Sequence, residues 1–356
     1  MKKLVLLLTI SLLCFGFANL AKAEPNDTFF QYQYPLQEIK AQKAWSEARL
    51  KEKHEVIVAV IDEGVDKNHS ELKNKIWINS DEKPNNYKDD DGNGYIDDYK
   101  GYNFVYDTSF NQPFGDHGTM ISGIIAADKN NNEGIVGLSQ HTKIMPLTAC
   151  NGSTCYKDSV QEAIRYAANM NADIINLSLT GPTLSYSEEQ DYKEAIEYAN
   201  KKGVIIVAAA GNGFRTTGEG KNLNIFSNSP ICEDNQNNII GVTSVNYNLQ
   251  KSTFADYGSK CVDIAAPGET IISTSLSHFS SYGVPYNISR GTSFSAAYVT
   301  GAIAFLKSID PGLGTKEVIS LLNKTSSDLN YKHPGYIGEL GSGLINLHKA
   351  TEDKIR

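Results

Sequence analysis

The sequence lacks the excess of basic residues that binding to nucleic acid or to an anionic membrane surface requires. Its 33 lysine and arginine residues are outnumbered by 41 aspartate and glutamate residues. Without Lys2, Lys3 and Lys22, which lie in the N-terminal segment discussed next, 30 basic residues remain and the net charge is about −11. We therefore expect neither nucleic acid nor an anionic membrane among the partners.

The chain also lacks an apolar run of the roughly 20 residues that a membrane span needs. The apolar run at residues 4–17 is too short, and it follows two lysines and precedes Ala21-Lys22-Ala23, an A-x-A cleavage pattern. This arrangement predicts a secretory signal peptide at residues 1–23, and hence a secreted or periplasmic protein with no membrane span.

Internal repeats, low-complexity tracts and linkers are absent from the sequence as well. With 40% hydrophobic and 21% charged residues, its composition is that of an ordinary soluble domain. We expect residues 24–356 to form one domain, with an acidic insertion at about residues 74–104.

Cysteine is scarce, with five in all, and Cys14 lies in the predicted signal peptide. Four cysteines remain, and an even number in an exported chain favours disulfides over free buried thiols, which are the alternative. Three pairings are open. The turn-like Asn-Gly-Ser-Thr between Cys150 and Cys155 favours the pairing Cys150–Cys155 with Cys232–Cys261.

Short apolar segments alternate with amphipathic ones along the chain. Strands are predicted at residues 55–61, 172–179, 204–210, 238–245 and 261–266, and helices at residues 160–170 and 188–202. Near-continuous apolar strands joined by helices predict an α/β fold, with a mostly parallel central sheet covered by helices on both faces. Such sheets carry their chemistry at the carboxyl ends of the strands.

The acidic insertion contains the run DDDGNGYIDD at residues 89–98. Oxygen atoms at alternate positions, with Gly94 at the turn, predict a structural Ca²⁺ site. Its ligands would be Asp89, Asp91, Asn93, the carbonyl of Tyr95, and Asp97. The twelfth position is Lys100 rather than glutamate, so the loop is not a complete EF-hand, and a solvated acidic turn is the alternative.

Four polar residues stand where a sheet protein would hold a reactive site. Asp62 ends an apolar strand, and Asn212 follows another in AAAGNG. His117 lies between glycines in GDHGT, and Ser293 begins an apolar helix in GTSFSAAYVTG. Taken alone, the sequence favours a turn or cap residue for the aspartate, the asparagine has the alternative of a loop amide, and the serine is as well explained as a helix N-cap.

Together the four residues supply the groups that serine catalysis needs. A serine hydroxyl is a poor nucleophile at neutral pH and needs a base, which an imidazole provides. A carboxylate fixes the tautomer of that imidazole and stabilises the imidazolium. The amide N–H₂ of an asparagine and the N-terminus of a helix both stabilise a developing oxyanion.

At these motifs the sequence resembles the subtilisin family of serine proteases, and the resemblance extends over about residues 34–350. VAVIDEGVD, DHGTMISGIIAA, AAAGN and GTSFSAA match the family's aspartate, histidine, oxyanion and serine motifs, in the family's order. The resemblance implies a subtilisin-like fold and an exported serine endopeptidase. Ser293 would be the nucleophile, His117 the base, Asp62 its orienting carboxylate, and Asn212 an oxyanion donor.

The resemblance also implies where substrate and a second calcium ion bind. INLSLTGP resembles the strand on which the family lays a protein or peptide substrate, as an added strand. The implied substrate-binding residues are Ser178, Leu179, Thr180, Gly181 and Gly211. Glu71 and Asn131 align with ligands of the family's N-terminal calcium site. No redox or organic cofactor is expected.

The sequence departs from the family in ways that leave other functions open. No separate pro-domain is apparent between residue 23 and Asp62, so we expect either unaided folding or a separate folding helper or inhibitor protein. Ala297 stands where the family has proline, and Thr180 where glycine is usual. The alternatives are a binding protein that keeps the protease fold with weak or no catalysis, and a protease that processes one precursor.

Overall fold

The computed structural model describes residues 24–48, 51–179, 186–213, 217–225, 231–232, 238–278 and 283–355. The predicted signal peptide lies outside these ranges, as do Thr180 and Gly181 of the predicted substrate strand. No helix in the described ranges is both long and apolar enough to cross a membrane.

Helices and strands alternate along most of the described chain. The helices are α1 (Tyr34–Glu38), α2 (Ala41–Ala48), α3 (His117–Ala126), α4 (Lys157–Asn169), α5 (Tyr186–Lys201), α6 (Thr292–Ile309), α7 (Thr315–Thr325) and α8 (Leu347–Ile355). Two 3₁₀ turns lie at Phe30–Tyr32 and Asn330–Lys332. The strands are β1 (Val56–Asp62), β2 (Tyr102–Asn103), β3 (Thr142–Thr148), β4 (Cys150–Asn151), β5 (Thr154–Cys155), β6 (Ile174–Leu177), β7 (Ile205–Ala209), β8 (Ile239–Val245), β9 (Ile264–Pro267), β10 (Ile271–Thr274) and β11 (Tyr286–Ser289).

Seven strands form one parallel sheet in the order β2-β3-β1-β6-β7-β8-β9. The hairpins β4–β5 and β10–β11 are antiparallel and lie outside it. The chain returns from β3, on one side of β1, to β6 on the other, so the order of the strands reverses beside β1. Open α/β sheets bind their ligands at such a reversal, outside the carboxyl ends of the strands. The predicted fold class is therefore confirmed.

Strand β1 is buried on both faces, which explains why its sequence is continuously apolar. Val58 and Val60 belong to the core that contains α3 and α6, whereas Ala59 and Ile61 belong to the core beneath α4 and α5. Alternate side chains of a strand point to opposite faces, so one apolar run serves both cores. Helix α6 crosses the first core and is buried from Thr292 to Ser308.

Both predicted disulfides are present. Cys150 and Cys155 are bonded and lie directly opposite each other in the β4–β5 hairpin. Cys232 is bonded to Cys261, 29 residues further along the chain, just before β9. The first disulfide closes a hairpin that begins two residues after the end of β3.

Candidate active site

The predicted catalytic residues meet at the carboxyl edge of the sheet. Asp62 is the last residue of β1, Ser178 follows β6 directly, and Asn212 comes three residues after β7. From the other direction, α3 begins at His117 and α6 carries Ser293 as its second residue. Strand carboxyl ends and helix amino ends converge at this edge, so residues far apart in sequence are placed together.

Asp62 and His117 form a hydrogen-bonded pair in which the carboxylate is buried and the imidazole is partly exposed. The imidazole Nδ1 donates to the carboxylate, at 2.9 Å from Oδ2 and 3.0 Å from Oδ1. Asp62 is 4% exposed, and the side chain of His117 is 32% exposed. Burial lowers the pKa of the imidazole, but the nearby carboxylates, with Asp62 the strongest, together outweigh burial and raise the pKa to about 9. The pair therefore favours the imidazolium form.

The glycines that flank His117 make room for its acidic neighbours. A Cβ on Gly115 would lie 2.1 Å from Oε1 of Glu63, and one on Gly118 would lie 2.3 Å from the carbonyl oxygen of Gly64. Neither position tolerates a side chain unless its neighbour moves. The tight packing that these glycines indicate in the sequence is what surrounds the imidazole.

Ser293 and Ser178 exchange two hydrogen bonds. The Ser293 hydroxyl donates to the Ser178 carbonyl at 3.0 Å, and the Ser178 hydroxyl donates to the Ser293 carbonyl at 2.9 Å. In this structure the hydroxyl of Ser293, the nucleophile predicted from the sequence, donates its hydrogen bond to the segment after β6 and not to His117. Phe294, the next residue, packs edge-on against the His117 ring with 5.7 Å between centroids. His117 in α3 and Ser293 in α6 therefore lie on adjoining helices, with no direct hydrogen bond between their side chains.

A buried chain of side chains, which the sequence analysis missed, holds Ser178 in place. Thr300 Oγ1 donates to Asn176 Oδ1 at 2.9 Å, and Asn176 Nδ2 donates to Ser178 Oγ at 2.8 Å. All three residues are buried. The one signal in the sequence is that Asn176 is a polar residue inside the apolar strand INLSL. A buried amide in a central strand needs partners, and here they lead to the serine.

The side-chain amide of Asn212 is oriented by the start of α6. Its Oδ1 accepts the Thr292 N–H at 2.9 Å and the Thr292 hydroxyl at 3.1 Å. A Cβ on Gly291 would lie 3.4 Å from Asn212 Nδ2. Because the oxygen is engaged on Thr292, the N–H₂ group is the part of the amide that can donate to another molecule.

The residues assigned to substrate binding have different surroundings. Ser178 and Leu179 follow β6 and are buried, with the Ser178 carbonyl facing the serine hydroxyl. Gly211 uses its N–H on Thr292 Oγ1 and its carbonyl on the Asp256 N–H, both at 3.0 Å. These two hydrogen bonds fix the backbone just before Asn212, and the assignment of Gly211 to substrate binding stays a prediction.

The acidic insertion brings Asp91 and Asn93 together but turns Asp89 and Asp97 to other partners. The Asp89 carboxylate accepts the N–H groups of Gly92, Asn93 and Gly94, and Asp97 accepts those of Asn86 and Tyr87. Tyr95 packs its ring among other aromatic rings. Asp89 and Asp97 therefore hold turns instead of facing a shared centre.

A different group of carboxylates converges in the same insertion. Oxygens of Glu82, Asp91 and Asp98 lie within 4.8 Å of one another, and Glu82 and Asp98 are buried. Asn93 belongs to this group, since its Nδ2 donates to Asp91 at 3.0 Å and to Asp98 at 2.8 Å. The buried Oε2 of Glu82 has no hydrogen-bond partner among the described residues. Clustered carboxylates with an unsatisfied oxygen fit a hard divalent cation.

The second set of predicted calcium ligands, Glu71 and Asn131, forms a hydrogen-bonded group with its neighbours. Glu71 Oε2 accepts the Asn131 amide at 2.8 Å, and Oε1 accepts the Ile135 N–H at 2.9 Å and the Tyr286 hydroxyl at 3.1 Å. Asn131 turns its N–H₂ group toward the carboxylate, and its oxygen accepts the N–H of Glu133. Glu71 and Asn131 are therefore joined directly to each other, and their assignment as calcium ligands stays a prediction.

The fold and the residues at this edge define a serine hydrolase of the α/β class, and comparison with known proteins gives the family. A model of the Subtilase family matches residues 53–343. The chain is 33% identical to the thermophilic serine proteinase of Bacillus sp. (strain AK1), over 86% of this chain and 65% of that protein. It is 31% identical to thermitase of Thermoactinomyces vulgaris, over 92% of this chain and 99% of that protein.

A solved structure shares the fold. A protease from Pseudoalteromonas arctica superposes with a TM-score of 0.72 and 23% identity, over 93% of this chain and 100% of that one. The chain belongs to the subtilase family, and its activity is that of a serine-type endopeptidase.

Proposed function

We propose that Ser293, His117 and Asp62 form the catalytic triad of this endopeptidase, with Asn212 as an oxyanion donor. The observation that carries the proposal is the Asp62–His117 pair, which lies where the amino end of α6 presents Ser293. The Ser293 hydroxyl rotates from the Ser178 carbonyl toward Nε2 of His117 and attacks the scissile carbonyl carbon. His117 takes the proton and donates it to the leaving amine, and water then hydrolyses the acyl-enzyme by the reverse proton path.

Asn212 and the backbone of Ser293 stabilise the charge that forms in this step. The Thr292 contacts direct the Asn212 N–H₂ group toward the start of α6, and the N–H of Ser293 belongs to the unpaired first turn of that helix. A peptide bound along Ser178 donates an N–H to the carbonyl that holds the serine hydroxyl at rest. The Ser178 carbonyl therefore accepts a hydrogen bond from the Ser293 hydroxyl before substrate binds and from the substrate N–H afterwards.

Active-site labelling tests this assignment. We expect the chain from residue 24 to 356 to react with a fluorophosphonate probe, and the Ser293→Ala variant not to react. Ser295→Ala is the matched control, because Ser295 lies two residues further along the same helix and donates to the Ala266 carbonyl instead. Labelling that survives Ser293→Ala would contradict the assignment, and a folded native chain that is not labelled would favour the binding-protein alternative.

We further propose that a structural Ca²⁺ is held by the cluster of Glu82, Asp91 and Asp98, which shares Asp91 with the alternating loop positions but not Asp89 or Asp97. When bound, the ion neutralises the clustered carboxylates and joins the two halves of the insertion. Calcium at about a hundredfold its Kd is expected to raise the Tm of the native chain by about 4 °C, as measured by calorimetry. Glu82→Gln should remove most of this gain, because it replaces one ligand oxygen with an amide nitrogen.

Asp89→Asn provides the matched control for calcium. Since Asp89 holds three backbone N–H groups, its substitution should lower the Tm by a similar amount with calcium and with chelator. A calcium gain that is lost in Asp89→Asn but kept in Glu82→Gln would return the site to the loop ligands expected from the sequence.

Export and domain organisation belong to the same proposal. Residues 1–23 would direct secretion to the periplasm or beyond, leaving residues 24–356 as a peptidase domain that cleaves protein or peptide substrates. If the purified domain refolds alone to full activity, it does not need a separate folding helper. A cleavage profile over a peptide library would separate broad hydrolysis from the processing of one precursor.

A further inference from the structure

Glu63 is a second buried carboxylate beside His117 that the mechanism above does not use. It follows Asp62 in the turn after β1 and is 8% exposed. Its Oε1 accepts the backbone N–H of His117 at 2.9 Å. His117 is the first residue of α3, and the N-cap residue, Asp116, makes no side-chain capping hydrogen bond. Glu63 therefore caps this helix from another element.

The chain reserves space for that cap. A Cβ at Gly115 would lie 2.1 Å from Oε1 and 2.6 Å from Cδ of Glu63, so the carboxylate occupies the volume that a side chain would need. The main chain of Glu63 is tied to the same segment, because its carbonyl accepts the Phe114 N–H at 2.8 Å. Two hydrogen bonds thus join Glu63 to residues 114–117, and its carboxylate fills the space that the missing side chain of Gly115 leaves.

We propose that Glu63 is a positioning residue of this active site, an inference that rests on the proposed function of His117 as the base. Its carboxylate holds the backbone of His117 at the start of α3, and its negative charge favours the imidazolium that forms when Ser293 gives up its proton. Asp62 orients the ring from Nδ1, whereas Glu63 fixes the main chain from which the ring extends.

Three carboxylates act on the imidazole. Asp62 lies at the end of β1, Glu63 in the turn after it, and Asp116 just before α3; the α6 residues that pack nearby, Ser293 and Phe294, are uncharged. Burial and the charge of Asp62 raise the pKa of Glu63, while the His117 N–H and the imidazolium oppose that rise. Glu63 and His117 therefore stabilise each other's charged forms, and their titrations are coupled.

The inference is tested by titrating the imidazole directly. NMR of the chain from residue 24 to 356, in a Ser293→Ala background that prevents self-cleavage, reports the His117 pKa without any need for turnover. Glu63→Gln keeps an acceptor for the backbone N–H and removes the charge. We expect it to lower the imidazole pKa by about 0.5–1 unit. Asp116→Asn, which removes a charge that makes no bond to His117, should cause a smaller shift.

Kinetics of the active chain provide the second readout. In Glu63→Gln the acid limb of kcat/KM should move to lower pH by the same amount. Glu63→Ala, which also removes the acceptor, should lower kcat about tenfold more than Glu63→Gln, with KM little changed. A rescue of kcat by glutamine is what a backbone-holding role predicts.

Two results would overturn the inference. One is an imidazole pKa that is unchanged in Glu63→Gln or shifted as far by Asp116→Asn. The other is an equal loss of kcat in Glu63→Ala and Glu63→Gln. A native chain that neither cleaves peptides nor reacts with a fluorophosphonate would refute the proposed function instead, and the NMR titration would still decide whether Glu63 acts on His117.

Discussion

Replacing Asp62 with asparagine is expected to lower kcat about 10⁴-fold while the protein stays folded. The carboxylate accepts the Nδ1 proton of His117 with both oxygens, at 2.9 and 3.0 Å. An amide of the same shape cannot stabilise the imidazolium, and its N–H₂ group favours the tautomer with the proton on the wrong nitrogen. The loss is measured as kcat on a chromogenic peptide, with circular dichroism to verify folding.

Asp66→Asn is the matched control for Asp62→Asn. Asp66 lies four residues further along, and its Oδ1 accepts the Asn68 N–H instead of touching the imidazole. Its kcat should stay within a few-fold of the native value. A loss below tenfold in Asp62→Asn would mean that another group orients the base.

The same ion pair makes activity and stability respond oppositely to pH. His117 accepts a proton only when neutral, so kcat/KM should rise with pH as the imidazole, with its pKa raised to about 9, loses its proton. A histidine whose pKa is higher in the folded state stabilises the fold below its unfolded value of about 6.5, and that contribution is lost as pH rises through about 9. Asp62→Asn should move the rise in kcat/KM to lower pH and remove most of this stabilising contribution, because it removes the strongest of the charges that raise the His117 pKa.

Replacing Asn212 with alanine is expected to lower kcat about 10²–10³-fold and to change KM little. The Asn212 oxygen is held by Thr292, so the N–H₂ group is aimed before any substrate arrives. Because an oxyanion forms only during the reaction, losing this donor affects the transition state more than binding. Steady-state kinetics on a peptide ester and on an amide would measure both parameters.

The Asn212→Asp variant tests whether the hydrogen bond donated by the side-chain N–H₂ group matters, because aspartate has nearly the same shape as asparagine. Aspartate keeps the oxygen that accepts from Thr292 but has no N–H₂ group, so its kcat should fall at least as far as that of the alanine variant. Asn246→Ala is a control at another loop amide, whose oxygen accepts the N–H groups of Asn248 and Gln250. A KM increase with unchanged kcat in Asn212→Ala would place the residue in substrate binding instead.

The strands of the fold could be predicted where they are apolar throughout, and β3 shows where that rule fails. Each predicted strand and helix is found within a few residues of its expected bounds. β3 pairs with β1 along seven residues, yet it contains Lys143 and Pro146, which interrupt the apolar pattern. A proline has no N–H to give to the sheet, so sequence reasoning reads it as a break. Pro146 is compatible with the sheet because the neighbouring strand β2 has only two residues, which pair with Leu147 and Thr148 and not with the proline.

The active site was easier to predict than the acidic insertion, for a physical reason. The carboxyl ends of parallel strands and the helix starts that follow them meet at one edge of the sheet. Local motifs at those points therefore predict that Asp62, His117 and Ser293 lie near one another. Within the insertion, alternation along the chain does not decide which carboxylates meet. Asp89 satisfies backbone N–H groups next to it, whereas Glu82 reaches the cluster from outside the quoted run.

The buried course of α6 has a consequence for how this protease would lose activity. A protease is surrounded by copies of itself, and any segment that is cut must first become extended and accessible. Surface loops can open locally, but a helix enclosed from Thr292 to Ser308 opens only with the core around it. The proposed nucleophile, Ser293, therefore lies on a helix that becomes accessible to cleavage only when this core opens. Nicks in the outer loops should accumulate while the enzyme still works, and inactivation should follow the rate of global unfolding.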